Sequence, residues 1–130
     1  MFNSDWYLSL RKPPLAPPDA LFMPVWTFLY ILIFISLAVY IFTPAERKLS
    51  GYIYFSLQMI LNFLWTGVFF GLKNISGALA VIIFMIIFTA LTAKKFYSVS
   101  PVSGLLLIPY IIWITFALYL NAGYLILNPQ

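Results

Sequence analysis

An all-α membrane protein, folded as one compact antiparallel bundle of four transmembrane helices, is what this sequence predicts, on three observations. Of 130 residues, 64% are hydrophobic and only 8% charged, with mean hydropathy +1.02, whereas an ordinary soluble domain carries about 25% charged residues. The charged side chains fall in short stretches: Asp5 to Asp19, Glu46 to Lys48, Lys73, and Lys94 with Lys95. The four apolar segments between them each reach the ~20 residues that cross a ~30 Å hydrocarbon core as a helix, a form that satisfies its own backbone. A β-barrel would need alternating strands of about ten residues, and these segments are apolar on every face for longer than that.

The expected organisation is a single transmembrane domain over residues 1–130, with a proline-rich loop at 1–20 and spans at about 21–42, 52–72, 75–93 and 104–127. In the loop, Pro13, Pro14, Pro17 and Pro18 fix φ and keep the chain extended at little entropic cost. The N-terminus lacks a basic stretch leading straight into a short apolar core with a small-residue cleavage site, so the first span is expected to serve as the insertion signal.

In that first span Trp26, Tyr30, Ile33, Leu37 and Tyr40 share one helix face. The second, "QMILNFLWTGVFFG", places Gln58, Asn62, Trp65 and Phe69 on one stripe, while Gly67 and Gly71 form a G-x-x-x-G about half a turn away. Those glycines suit close approach of another backbone, either a neighbouring helix of the same chain or a dimer partner. The third span lacks Trp, Asn and Gln and reads as a wall. In the fourth, Tyr110, Trp113, Ala117, Asn121, Tyr124 and Asn128 share a face, with Pro109 expected to loosen the helix one turn earlier. Each aromatic taken alone reads as packing or as an interfacial belt residue. Three aromatic and polar stripes on three of the four helices point instead to a shared site, because a buried amide without a partner costs several kcal/mol.

Composition narrows the function. With no cysteine or histidine, disulfides, thiol chemistry, the usual zinc sites and histidine-ligated haem are excluded. Asp5, Asp19 and Glu46 lie outside the spans, which leaves no acid–base machinery within the bilayer. The net charge of +4 resides in juxtamembrane residues and reads as attraction to anionic lipid head groups rather than to nucleic acid. Arg11, Lys12 and Lys73 on one side against Arg47, Lys48, Lys94 and Lys95 on the other do not decide orientation.

The stretches "WYLSLRKPPLAPP", "VWTFLY", the Gln and Asn of the second span, and "LLIPYIIWITFALYLN" together resemble the TspO/MBR family, the tryptophan-rich sensory or translocator proteins, in order and spacing over nearly the whole chain. The resemblance implies a five-helix bundle, often dimeric, that binds porphyrins such as protoporphyrin and haem, sterols in animal members, and synthetic benzodiazepine-type ligands beneath the first loop. By matching motif positions it implies porphyrin contact at Trp26 and Trp113, pocket-lining places at Tyr30, Asn62 and Ala117, and a roof at Trp6, Pro17 and Pro18. Two departures stand out. Leu15 occupies a loop position where the family usually has tryptophan, and the family's first helix precedes the "WY" motif whereas Trp6 here is close to Met1, so the expected fold is the family bundle without that helix.

From stripes and resemblance together, the expected ligand-binding set is Trp26, Tyr30, Asn62, Trp65, Tyr110, Trp113, Ala117 and Asn121. The expected lid is Trp6, Arg11, Lys12, Pro17 and Pro18. A tetrapyrrole would slot between Trp26 and Trp113, with Ala117 leaving clearance and Arg11 or Lys12 pairing with its propionates. No metal site and no required cofactor are expected, and without His or Cys a metal-free porphyrin suits the chain better than haem. The leading function is a porphyrin-binding sensor or transporter in the cell membrane. Light-driven porphyrin degradation by Trp26 and Trp113, or a structural subunit of a membrane complex, are the alternatives. A cholesterol motif is poorly supported, since no basic residue follows Lys95.

Overall fold

The computed structural model describes residues 6, 9–14 and 22–128. Its regular structure among those residues is helical: α1 (Phe22–Phe42), α2 (Leu49–Thr66) continued by a π-helical turn (Gly67–Gly71), α3 (Ile75–Val99), the short α4 (Pro101–Leu105) and α5 (Ile108–Leu127). Four stretches are long and apolar enough to cross a membrane: Met23–Phe42, Leu49–Gly71, Ile75–Val99 and Pro101–Leu127. The protein is an integral, multi-pass, all-α membrane protein, and Phe28, Phe34, Phe63, Phe84 and Ile112 are among the large apolar side chains it turns outward, where lipid is the natural solvent.

The helix boundaries differ from the expected spans for local reasons. No helix breaker follows Ala93, so α3 runs on through Lys94 and Lys95 to Val99. It stops at Ser100 (φ −147°, ψ 117°), because a residue before proline is pushed out of the helical region. Pro101 then opens α4. The fourth span is not one helix: the chain turns at Leu106 and Leu107 and Pro109 sits in the first turn of α5. Proline is tolerated there because its missing N–H would have no helical partner anyway.

The reversal between the π-helical turn and α3 takes three residues, Leu72 to Asn74. Lys73 adopts a left-handed φ of 55°, and Asn74 caps α3, its Oδ1 accepting from Gly77 N at 2.9 Å. At the opposite end of the bundle, Lys48 closes α1: its Nζ donates to Ile41 O and Thr43 O, each at 2.9 Å, and lies 4.9 Å from the Tyr40 ring centroid. A cation there opposes the negative end of the α1 dipole.

The same end is held by close approach. Ser36 Oγ donates to Ser103 O at 2.6 Å, Ser103 Oγ donates back to Ser36 O at 2.7 Å, and both residues are fully buried. Tyr40 stacks on Phe96 with centroids 4.0 Å apart and donates to Lys48 O at 2.7 Å. Its hydroxyl occupies the space that a Cβ on Gly51 would need. A Cβ on Gly104 would fall 2.8 Å from Ala93 O and from Tyr97 Cα. The third span behaves as the expected wall: Ile75, Ala78, Ile82, Met85 and Phe96 of α3 are buried against the other helices, and the buried Thr89 and Thr92 return their hydroxyls to Met85 O and Phe88 O.

Candidate functional site: an aromatic cluster beneath a docked lid

At the end of the bundle opposite Lys48, side chains from α1, α2 and α5 meet in layers. Antiparallel packing brings Trp26 and Tyr30 of α1 level with Trp65, Asn62 and Gln58 of α2 and with Trp113 and Tyr110 of α5. Trp26 is the hub. Its ring centroid lies 5.7 Å from Tyr30, 6.3 Å from Trp65, 6.4 Å from Tyr110 and 6.4 Å from Trp113, and it is 7% exposed. The structure therefore gathers five of the eight expected ligand-contact residues into one aromatic cluster.

It corrects the expected slot between the two indoles. Trp26 and Trp113 stand edge to face, at an interplanar angle of 87°, an arrangement that indole quadrupoles favour. A flat ring between them would need two parallel faces about 7 Å apart, twice the ~3.5 Å van der Waals spacing. Ala117, expected to leave clearance, is itself buried at 5% exposure. A planar ligand must therefore displace one indole or lie along the cluster rather than pass between its rings.

The polar residues divide into two groups. Nearer the lid, Trp65 Nε1 donates to Asn121 Oδ1 at 2.9 Å, and Asn121 Nδ2 donates to Ile75 O at 2.9 Å. Both ends of the Asn121 amide are thus engaged within the protein, in a clamp across α2, α3 and α5. Trp65 and Asn121, both expected among the ligand contacts, thus hold each other through their polar atoms. Deeper in, the Tyr30 hydroxyl donates to Asn62 Oδ1, Asn62 Nδ2 donates to the Tyr110 hydroxyl at 2.8 Å, and that hydroxyl donates to Gln58 Oε1 at 2.9 Å. The chain joins α1, α2 and α5 within the bilayer, where side-chain hydrogen bonds between helices replace the missing hydrophobic drive.

The segment expected to form the lid docks on α5. Asn128 grips the Arg11 backbone from both sides: its Oδ1 accepts from Arg11 N and its Nδ2 donates to Arg11 O, each at 3.0 Å. Pro13 is buried against Gly123, where a Cβ would fall 2.5 Å from the Pro13 Cβ, and the Tyr119 hydroxyl donates to Pro14 O. Trp6 meets Phe69 of the π-helical turn edge to face at 5.7 Å. Arg11 and Lys12 are exposed at the rim. Pro17 and Pro18, expected in the roof, lie outside the described residues.

Of the two readings of Gly67 and Gly71, the structure corrects the one that packs them on a neighbouring helix of the same chain. Neither is covered by a neighbouring helix: a Cβ on either would meet nothing within 4 Å among the described residues. They bracket the π-helical turn instead, in which Phe69 is buried at 2% exposure. Sequence reasoning missed Gly123 and Tyr119 as lid contacts. Small residues at Ala122 and Gly123, between Asn121 and Tyr124, were the available signal.

Comparison with known proteins agrees with this architecture. The model of the TspO/MBR family matches residues 1–127. The chain is 41% identical over 128 residues to the tryptophan-rich protein TspO of Chlorobaculum tepidum, covering 97% of this chain and 81% of that one. It is 40% identical over 126 residues to protein CrtK of Rhodobacter capsulatus, covering 95% and 79%. With the translocator protein of Bos taurus it shares 33% identity over 124 residues, covering 89% and 70%. A match of this extent, on a four-span helical bundle, means that the chain belongs to the TspO/MBR family.

Proposed function

We propose that this protein binds a planar tetrapyrrole, as a sensor or transporter, at the aromatic cluster centred on Trp26. The observation that carries this reading is the convergence of Trp26, Tyr30, Trp65, Tyr110 and Trp113 in one contact group beneath a lid docked on α5 by Asn128 and Tyr119. Rings supply a large apolar contact area with fixed geometry. Arg11 and Lys12, exposed on the lid, supply cations for peripheral carboxylates. Trp26 fills the centre of the cluster in this structure, so the ligand enters by exchanging contacts with its indole.

Titration of the purified protein in lipid nanodiscs with protoporphyrin, followed by quenching of tryptophan fluorescence, tests the reading. Replacing Trp26 and Trp113 together by Phe removes contact area and is expected to weaken binding about tenfold, the equivalent of 1.4 kcal/mol. Identical curves for the two proteins would count against the site.

A further inference from the structure

The hydrogen-bond chain below the cluster does not close. Gln58 is 1% exposed, and its Nε2 has no hydrogen-bond partner among the described residues. The chain is directional: it passes from Tyr30 to Asn62 to Tyr110 and ends on Gln58 Oε1, which leaves both N–H groups of the amide over. Exchanging the two ends of that amide does not close the chain either. Gln58 could then donate to the Tyr110 oxygen and the phenol could donate to the Thr89 hydroxyl, but the amide oxygen would be left without a donor, so one end of Gln58 stays unpaired in either orientation. Thr89, whose hydroxyl lies beside the same phenol, already donates to Met85 O at 2.7 Å.

Gln58 lies near the middle of the span Leu49–Gly71. An amide donor in hydrocarbon with no partner is strongly disfavoured, and water is scarce at that depth. We propose that the free end of Gln58 is a binding point for an acceptor oxygen held near the bilayer midplane, at the floor of the aromatic cluster. That oxygen is a carbonyl or carboxyl group of a ligand, or an enclosed water that Gln58 keeps in place. The ligand source rests on the porphyrin-binding reading, and the water source does not. On the ligand side the geometry is direct, because Gln58 follows Asn62 by one helical turn away from the lid and Tyr110 follows Trp113 in the same direction. The leading polar atom of a molecule that enters from the lid reaches Gln58 last.

The chain contains glutamine at positions 58 and 130 only, so selective ¹⁵N labelling of glutamine side chains gives two amide groups, and Gln130→Asn identifies which belongs to Gln58. The measurement is made on the otherwise unaltered protein in nanodiscs, without and with protoporphyrin. Cross-peaks from the Gln58 amide to protoporphyrin protons assign the acceptor to the ligand. In that case Gln58→Met weakens protoporphyrin binding about tenfold, as expected for loss of one hydrogen bond in a dry site. Cross-peaks to water in both states, with unchanged affinity in Gln58→Met, assign it to an enclosed water. A Gln58 amide that contacts neither water nor porphyrin in either state overturns the proposal. Failure of the wild-type protein to bind protoporphyrin would sink the functional reading alone, since the water cross-peak is still read in its absence.

Discussion

The two ends of this bundle differ in what ties α1 to its neighbours. At the Lys48 end, side chains are fastened to backbone: Ser36 and Ser103 donate to each other's carbonyls, Lys48 Nζ to Ile41 O and Thr43 O, and glycines at 51 and 104 admit neighbours closer than a Cβ would allow. At the lid end, ring meets ring around Trp26, and α1 is tied to α2 by side chains at both ends of the Tyr30 to Asn62 bond. Backbone acceptors cannot move without moving a helix, whereas aromatic side chains re-pack by rotamer changes. The difference teaches that α1 is fixed to backbone at the first end and held by re-packable rings at the second, which is where the proposed ligand would need room.

Breaking the fixed end should cost most. Gly104→Val places side-chain atoms against Ala93 O and the Tyr97 backbone, neither of which can yield. Overpacking of this kind is expected to destabilise the protein by about 3 kcal/mol, read as a large drop in thermal unfolding temperature in detergent. Ser36→Ala combined with Ser103→Ala removes the reciprocal pair and should cost about 1–2 kcal/mol, given that interhelical hydrogen bonds in membrane proteins are each worth about 0.6 kcal/mol and rarely more than 1.7. Thermal unfolding beside each single variant checks it, and equal melting temperatures throughout would mean that the pair does not hold α1 to α4.

At the adaptable end the effects move from stability to access. Asn128→Ala releases the Arg11 backbone and should leave global unfolding nearly unchanged. Loss of those local hydrogen bonds is expected to raise trypsin cleavage after Arg11 about tenfold, as followed by mass spectrometry. The smallest change is at the π-helical turn. Because nothing among the described residues packs on Gly67 or Gly71, alanine at either position should be neutral or stabilise by up to about 1 kcal/mol. A loss of stability, accompanied by a change in particle mass, would show that a second copy of the chain covers them.

The sequence made some of this legible and hid the rest, for physical reasons. Span positions could be read because a helix in lipid must be apolar on all sides, and the aromatic stripes because side chains three and four residues apart share a face. Periodicity says which way a side chain points but not whether its polar atoms are already engaged. Asn121, engaged at both ends of its amide, and Gln58, engaged at one, therefore looked alike in sequence. The clasp of Arg11 by Asn128 joins residues 117 positions apart, a pairing that no local pattern encodes. Proline marked the breaks at Ser100 and Leu107, but only the fold shows that Pro109 begins a helix rather than bending one.

The most direct test uses the four tryptophans as reporters. With 5-fluorotryptophan in the protein, ¹⁹F spectra are recorded in nanodiscs while protoporphyrin is added. The account predicts that the Trp26 and Trp113 signals move together as their edge-to-face contact is exchanged for contact with the ligand, while Trp65, held by Asn121, moves least. A titration that shifts Trp65 and leaves Trp26 and Trp113 in place, or that shifts none of them, would contradict it.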